Sequence, residues 1–249
     1  MNGTPAPVVV GIDGSVAAFN AAAWAALEAR DRMTTLRLVY AVDDTVATGR
    51  RESTMHCARE ALDHASALIA DVSPSLTVET AVEQGKPDDA LLDASRGAAM
   101  VCIGTDGRRT GPLGRLATTL AESAHCAVAI IRDDHMLEQS HDCGVVAVVL
   151  DDAPDNDAVV RQAMKEARIR HADVRQIDRR RGSWVRRFPD VHVETVAAGT
   201  GWSSGGHDRR LPELAVVGRM DAAHLGGLVT PNCHPIVGFP DCSILVVRD

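Results

Sequence analysis

The chain contains no apolar run that approaches the ~20 residues needed to cross a bilayer as a helix, although 45% of its 249 residues are hydrophobic. Its first residues, MNGTPAP, lack both the positive charge and the apolar stretch of a secretory signal. The two absences predict a cytoplasmic protein without a membrane segment.

Motifs for metal binding and disulfide pairing are also missing. The six cysteines are scattered, with no C-x-x-C pair and no paired histidines at metal-ligand spacing. Neither a zinc site nor a disulfide framework is therefore indicated. Three cysteines lie in or beside apolar runs and are predicted to be small buried side chains: Cys102, Cys126 and Cys242.

An excess of basic residues is absent as well, since the net charge is −8. Binding to nucleic acid depends on Lys and Arg that neutralise phosphates, so this composition does not favour a nucleic-acid partner. The segment 179–187, RRRGSWVRR, is a local exception. We interpret it as a solvated face, with contact to an anionic partner as the alternative.

The chain does contain an internal repeat. The segment VVVGIDGSVAAFNAAAWAALEAR aligns with VAVVLDDAPDNDAVVRQAMKEAR, which pairs Val8 with Val146 and Asp13 with Asp151. Three further matches follow in the same order: Val78 with Val193, Gly104 with Gly218, and Cys126 with Cys242. A duplication with a shortened second copy explains this order. We predict two domains, residues 8–132 and 144–249, joined by a linker over 133–143.

Each copy alternates short β-branched runs with longer helical patterns. In the first copy the predicted strands are VVVGI, LRLVYAV, LTVETAV, AMVCIG and CAVAIIR, and the predicted helices span 17–30, 52–72, 87–96 and 119–124. Strand followed by helix, repeated, predicts an α/β fold with an open parallel sheet covered on both faces. Ligands of such sheets bind beyond the carboxyl ends of the strands, where the strand order reverses.

A glycine-containing loop follows the fourth predicted strand. It begins with Gly104 and Gly107, and after nine further residues Ala117 and Thr118 lead into a helix. Backbone N–H groups at glycines and at a helix start are suited to a polyphosphate. Such a loop also occurs simply as a tight turn, and the P-loop and dinucleotide fingerprints are absent.

This loop resembles that of the universal stress protein family, whose ATP-binding members carry G-x-x-G, nine residues and then G-[ST]. Gly104, Gly107 and Thr118 match, while Ala117 replaces the third glycine. The resemblance extends to VVVGIDGS, to CAVAIIR, and to LAVVG through HPIVGFPDCSILVVR near the C-terminus. It implies two Rossmann-like domains in tandem, the second shortened.

The resemblance also implies an ATP site in the first copy. The residues expected to contact the nucleotide are Gly11, Asp13, Gly14, Ala41, Ile103, Gly104, Gly107, Ala117, Thr118 and Thr119. Asp13 is suited to ribose hydroxyls or to a magnesium ion that bridges phosphates, with an Asx turn as the alternative. For Thr119 the alternative is a capping box with Glu122.

Ala117 departs from the family pattern. A backbone with positive φ at this position would disfavour alanine by roughly 1 kcal/mol, whereas a glycine that only makes room would be replaced at little cost. Arg108, Arg109 and Arg115 flank the loop and could contact the γ-phosphate or be solvated.

The second copy keeps Asp151 but has Asp221 at the second glycine position and Pro231 at the third. The carboxylate would repel a phosphate and the proline removes a backbone donor. We therefore predict that this copy does not bind nucleotide in the same way. It would serve as a structural partner for the first copy. The family resemblance implies that CSILVVR docks near CAVAIIR, because such proteins commonly pair domains through their last strands, and a homodimer of tandem chains is also compatible.

Three functions fit these observations. The preferred one is an ATP-dependent regulator of a stress response, acting through a protein partner that the sequence does not identify. The second is a slow ATPase, for which His125 and Asp106 lie near the loop in sequence but form no arrangement typical of a general base. The third is a scaffold that binds no nucleotide.

Overall fold

The computed structural model describes residues 5–43, 48–105, 114–132, 144–150, 156–178, 190–197, 213–219 and 242–248. These residues belong to two compact units, the first ending at 132 and the second beginning at 144. The predicted linker and the basic segment 179–187 lie outside the described residues.

The first unit alternates strands and helices. Its elements are β1 (Val8–Gly11), α1 (Val16–Asp31), β2 (Leu36–Val42), α2 (Thr48–Val72), β3 (Val78–Gln84), α3 (Pro87–Ser95), β4 (Met100–Thr105), α4 (Arg115–Ser123) and β5 (Ala127–Arg132). The strands are parallel, in the order β3-β2-β1-β4-β5. The predicted open parallel α/β fold is confirmed.

Strands β1 and β4 are apolar and buried over most of their length, because helices cover both faces of the sheet. Val8, Val9 and Val10 of β1 are at most 1% exposed, as expected for a strand buried on both sides. Helix α1 contacts α2, and α3 contacts α4. The two pairs cover opposite faces, since α3 reaches the sheet at Gly11 and α1 reaches it at Gly104.

Two helices begin four residues earlier than the sequence pattern predicts. Helix α2 starts at Thr48 instead of residue 52, and α4 starts at Arg115 instead of Thr119. At α4 the threonines predict the later start, but Gly114 is the residue that precedes the first turn. Arg115, Leu116 and Ala117 are all good helix formers, so the helix extends back to that glycine.

The second unit has the same strand arrangement. Its elements are β6 (Val145–Leu150), α5 (Asn156–Arg170), β7 (Asp173–Asp178), β8 (Val193–Ala197), β9 (Leu214–Val217) and β10 (Ser243–Val246), with strand order β8-β7-β6-β9-β10. The connection from β7 to β8 is shorter than that from β2 to β3. The domain boundaries and the docking of the two final strands stay predictions.

The three cysteines predicted to be buried are buried: Cys102 in β4, Cys126 just before β5, and Cys242 just before β10. Cys57 is exposed on α2. Within the described parts of the chain, no helix is long and apolar enough to span a membrane.

Candidate functional site

The strand order creates a topological switch point between β1 and β4. From β1 the chain passes through α1 to β2 on one side, and from β4 it passes through α4 to β5 on the other. The two connections diverge and leave a crevice at the carboxyl ends of these neighbouring strands, which is where open α/β sheets bind ligands.

The turn after β1 is held by hydrogen bonds of its own side chains. Asp13 Oδ1 accepts from the Ser15 backbone N–H at 2.9 Å, and Ser15 Oγ accepts from Ala18 N at 3.1 Å as the N-cap of α1. Gly14 completes the turn with φ +85°. The Asx turn foreseen as an alternative is thus present. The Asp13 side chain is also exposed, and a carboxylate accepts several bonds, so the turn leaves capacity for a ligand.

Gly104 is required for the packing of α1 against the sheet. A Cβ on this residue would lie 2.1 Å from the backbone carbon and oxygen of Ala17, far inside any permitted contact. The N-terminus of α1 therefore lies directly against the end of β4. The glycine predicted to bind phosphate through its backbone has a packing role in addition.

Gly11 has a similar role on the other face. A Cβ there would lie 2.9 Å from Leu91 Cδ1 of α3 and 3.5 Å from Ile103 Cγ2. Val39 pairs with Gly11 in register, so Ala41, two residues further along β2, points to the same face nearer the edge. The structure thus places Gly11, Ile103 and Ala41 on the face covered by α3.

Helix α4 begins at this edge with no side-chain cap. Its N-cap is Gly114, and the first backbone bond of the helix runs from Thr118 N to Gly114 O at 3.1 Å. The N–H groups of the three residues before Thr118 have no acceptor within the helix. The capping box of Thr119 with Glu122 is wrong, because both residues lie inside the helix instead of at its start.

Ala117 lies in the first turn of α4 and is 3% exposed. Among the described residues other than glycine, only Met33 and His171 have positive φ, so Ala117 is not strained. Its methyl group is therefore part of the buried core of the first unit. Of the remaining predicted residues, Thr118 and Thr119 are half-buried in α4, and Gly107 lies outside the described residues.

Arg115 forms an ion pair across the start of two helices. Its Nη2 lies 2.9 Å from Asp88 Oδ2, in the first turn of α3. The arginine side chain is 79% exposed and the aspartate side chain 19%. From the sequence, Arg115 was expected either to contact a phosphate or to be solvated, and the ion pair with Asp88 was not expected. Arg108 and Arg109 lie outside the described residues.

Tyr40 is a neighbour of the site that the sequence pattern did not single out. Burial raises the pKa of Tyr40 above its ordinary value of 10.0, and the negative charges of Cys57 and Asp13 raise it further. The tyrosine on β2, the thiol on α2 and the carboxylate after β1 therefore lie close enough to interact. In the sequence, the signal for Tyr40 was its position directly before Ala41, which was itself a predicted site residue.

His125 is at the wrong edge for catalysis at the loop. It precedes the amino end of β5 and its Nδ1 lies 3.3 Å from Ser95 Oγ. Helix α4 separates it from the carboxyl edge, so its proximity in sequence was misleading. Asp106 lies outside the described residues. Across those residues no group of three or more His, Cys, Asp or Glu could hold a metal ion.

Comparison with known proteins relates both the sequence and the fold to one family. The model of the universal stress protein family matches residues 6–132. Universal stress protein Rv2624c of Mycobacterium tuberculosis is 36% identical over 262 residues, which cover 97% of this chain and 96% of the relative.

One solved structure relates the fold as well, and a second is similar over half of the chain. A universal stress protein from Archaeoglobus fulgidus covers 97% of this chain and 96% of its own, with a TM-score of 0.69 and 13% identity, and so relates the folds alone. A family protein from Arabidopsis thaliana with AMP bound covers 53% of this chain and 94% of its own, with a TM-score of 0.43 and 17% identity. The bound AMP is a property of that protein.

Proposed function

Because the chain belongs to the universal stress protein family, we propose that its first unit binds ATP and acts as a nucleotide-dependent regulator in the stress response. The observation that carries this proposal is the crevice between β1 and β4. The Asp13 turn lies at its β1 side, and the glycine-containing loop joins the end of β4 to the start of α4.

The phosphate end of the nucleotide fits the start of α4. A helix start offers unpaired N–H donors and a favourable dipole to an anion, and here no side-chain cap competes with a ligand for them. Gly107 would add its backbone from the loop, with the Thr118 hydroxyl nearby. Arg115 already pairs with Asp88, so we assign it no phosphate contact.

The adenosine end fits the side of β1 and β2. The exposed carboxylate of Asp13 suits the ribose hydroxyls, while Ala41 and Ile103 line the α3 face of the sheet edge. Gly14 keeps the turn compact with a positive φ that other residues rarely adopt. Apolar residues beside a small number of placed polar groups are the usual lining of a small-molecule site, and this arrangement is compatible with adenosine.

Magnesium fits this site only together with the nucleotide. Asp13 is one carboxylate, and one of its oxygens already accepts from Ser15. Mg²⁺ in nucleotide sites is held by one or two carboxylates plus phosphate oxygens and water. Asp13 would supply the protein ligand, and the ion would neutralise charge between the phosphates.

We further propose that the two units are tandem domains and that the second does not bind nucleotide. Asp221 and Pro231 replace two glycine positions of the loop, and the family model ends at residue 132. ATP regulates such a protein only if it binds two conformations or assemblies with different affinity. A protein partner, or a second tandem chain, would then bind one of these two conformations in preference to the other.

Calorimetric titration of nucleotide-free protein with Mg-ATP tests the binding step. We expect saturable binding with one site per chain, weakened about tenfold or more in Asp13→Ala and in Gly107→Asp, which copies the acid of the second loop. Asp151→Ala, at the aligned position of the second unit, is the matched control and should bind as the unmodified protein does. If no binding is detected at ATP concentrations up to about 1 mM, the scaffold function would replace ATP-dependent regulation.

A further inference from the structure

A pocket of about 300 Å³ lies in the first unit at the amino edge of the sheet, opposite the proposed nucleotide site. Its walls come from the end of α1 and from the segments that lead into β2 and β3. The lining includes Arg30, Met33, Thr34, Thr35, Ser75 and Thr77. Its size is at the lower end of the range for small-molecule sites.

The internal repeat supplies a comparison for this pocket. The ends of α1 and α5 have equivalent hydrogen bonds: Thr34 N donates to Ala29 O at 3.0 Å, and Ala172 N donates to Ala167 O at 2.9 Å. The residues just before these donors, Met33 and His171, both have positive φ, 51° and 52°. The two helix ends are therefore built in the same way.

The turns before β3 and β8 are equivalent too. Leu36 N donates to Thr77 O at 3.0 Å in the first unit, and Val174 N donates to His192 O at 2.8 Å in the second. This correspondence places Asp190 of the second unit at the position of Ser75 in the first. Arg168 likewise takes the position of Arg30.

In the second unit, the residues at the positions of Arg30 and Ser75 form an ion pair. Arg168 Nε and Nη2 donate to the two oxygens of Asp190, at 2.5 and 3.0 Å. Parallel bonds of this kind are the arrangement by which arginine recognises a carboxylate. In the first unit Ser75 provides no carboxylate, and within the described residues no side-chain hydrogen bond or ion pair of Arg30 is found.

We propose that this pocket binds the carboxylate group of a small molecule, with Arg30 taking the part that Arg168 plays toward Asp190. Ser75, Thr35 and Thr77, which carry hydroxyl groups, also line the pocket. Met33 is 85% exposed at the rim and offers an apolar contact to the carbon skeleton of a ligand.

The charge balance at this edge requires the arginine. The C-terminal end of α1 carries partial negative charge, which opposes an anion. Asp190 occupies the corresponding position beside α5, so a carboxylate is accepted there when arginine neutralises it. The same condition is met by Arg30, the basic residue of the last turn of α1.

The test is a titration of the isotopically labelled full chain with sodium succinate, followed by nuclear magnetic resonance at constant chloride. Succinamide, which has the same skeleton without charge, is the matched ligand control. We expect saturable shifts at Arg30 and Ser75 with succinate alone. Shifts that are the same with both ligands would overturn the proposal.

Three variants make the assignment specific. Arg30→Gln should weaken succinate binding about tenfold or more. Ser75→Asp, which installs the internal carboxylate of the second unit, should abolish binding while the rest of the spectrum is retained. Asp190→Ser should create a second site at Arg168. Binding that persists in both Arg30→Gln and Ser75→Asp would refute the proposal.

A short peptide, acetyl-Gly-Glu-Gly-amide, separates a small ligand from a protein segment. Binding weaker than or comparable to that of succinate supports the small-molecule site. Binding about tenfold tighter would overturn it in favour of an acidic segment of a partner protein.

Discussion

Two glycines at the carboxyl edge show how single residues determine the position of helices. Gly104 permits α1 to approach one face of the sheet and Gly11 permits α3 to approach the other. The sequence identified both positions through a phosphate-binding pattern and a strand ending, and it could not reveal the packing. A close approach between elements depends on which atoms meet, and periodicity does not encode that.

Replacing Gly104 with alanine should destabilise the first unit. The added Cβ would lie 2.1 Å from backbone atoms of Ala17, so α1 must move, and overpacking of this kind costs about 1–3 kcal/mol. Urea unfolding measures the change. Gly97→Ala is the control, because a Cβ there meets nothing within 4 Å. Equal midpoints for the two variants would contradict the packing role.

Ala117→Gly would restore the glycine of the family pattern. We expect a loss of about 1–2 kcal/mol in stability, since glycine is a poorer helix former and a buried methyl is removed. The affinity for Mg-ATP should not change, because the methyl packs in the core. Calorimetric titration compares the two proteins. A large gain in affinity on restoring the glycine would show that the methyl obstructs the ligand.

Tyr40 is the single tyrosine of the chain, so the ultraviolet absorbance of tyrosinate reports on one residue near the proposed site. Its pKa is raised by burial first and then by the charges of Cys57 and Asp13. Asp13→Asn should therefore lower the titration midpoint, while Asp63→Asn, on the exposed side of α2, should leave it unchanged. Identical midpoints in both variants would exclude the interaction.

The same shift has a consequence for stability. Because the folded pKa of Tyr40 lies above the unfolded value of 10.0, the folded state binds more protons between the two values. Stability is therefore retained below pH 10.0 and falls as pH rises through the folded pKa.

At the scale of elements, the strands and most helices followed from periodicity, but the start of α4 did not. Strands buried on both faces leave continuous apolar runs that are simple to recognise. A helix that begins after glycine leaves no capping side chain in the sequence, and Thr119 gave a misleading signal. The start of α1 was easier to anticipate, since Asp-Gly-Ser contains both the turn and the N-cap.

The N-cap of α1 gives a prediction at this scale. Ser15→Ala removes the acceptor for Ala18 N and should destabilise the unit by about 1 kcal/mol. Ser15→Asp retains an acceptor at the same position and should restore most of that stability. Thermal unfolding distinguishes the variants. If both lose the same stability, the capping bond is not what stabilises the helix start.

At the scale of the whole chain, the described residues form two units with the same strand order. The duplication inferred from four ordered sequence matches, and the boundaries drawn from it, stay predictions. The Arg168–Asp190 pair and the pocket of the first unit were beyond reach, since they depend on which residues a turn brings beside a helix end.

The Arg168–Asp190 pair makes the second unit sensitive to acid. The hydrogen bond that Asp190 accepts from Arg168 holds the pKa of Asp190 below its ordinary value of 3.8. The pair therefore stabilises the fold above pH 3.8, and this contribution is lost as pH falls through the lowered folded pKa. Asp190→Asn should be slightly less stable at neutral pH, with the difference disappearing in acid. A difference in urea midpoint that does not depend on pH would contradict this.

The close approaches at Gly104 and Gly11 can be compared with the aligned positions of the second unit. Gly218 stands at the aligned position of the second unit, directly after β9, and α5 contacts β9. The position aligned with Gly11 instead holds Val149. A Cβ at the Gly11 position would lie 2.9 Å from Leu91 Cδ1 of α3, so a valine at the aligned position is incompatible with an equally close approach of a covering leucine. This difference supports the proposal that the second unit has no matching nucleotide site.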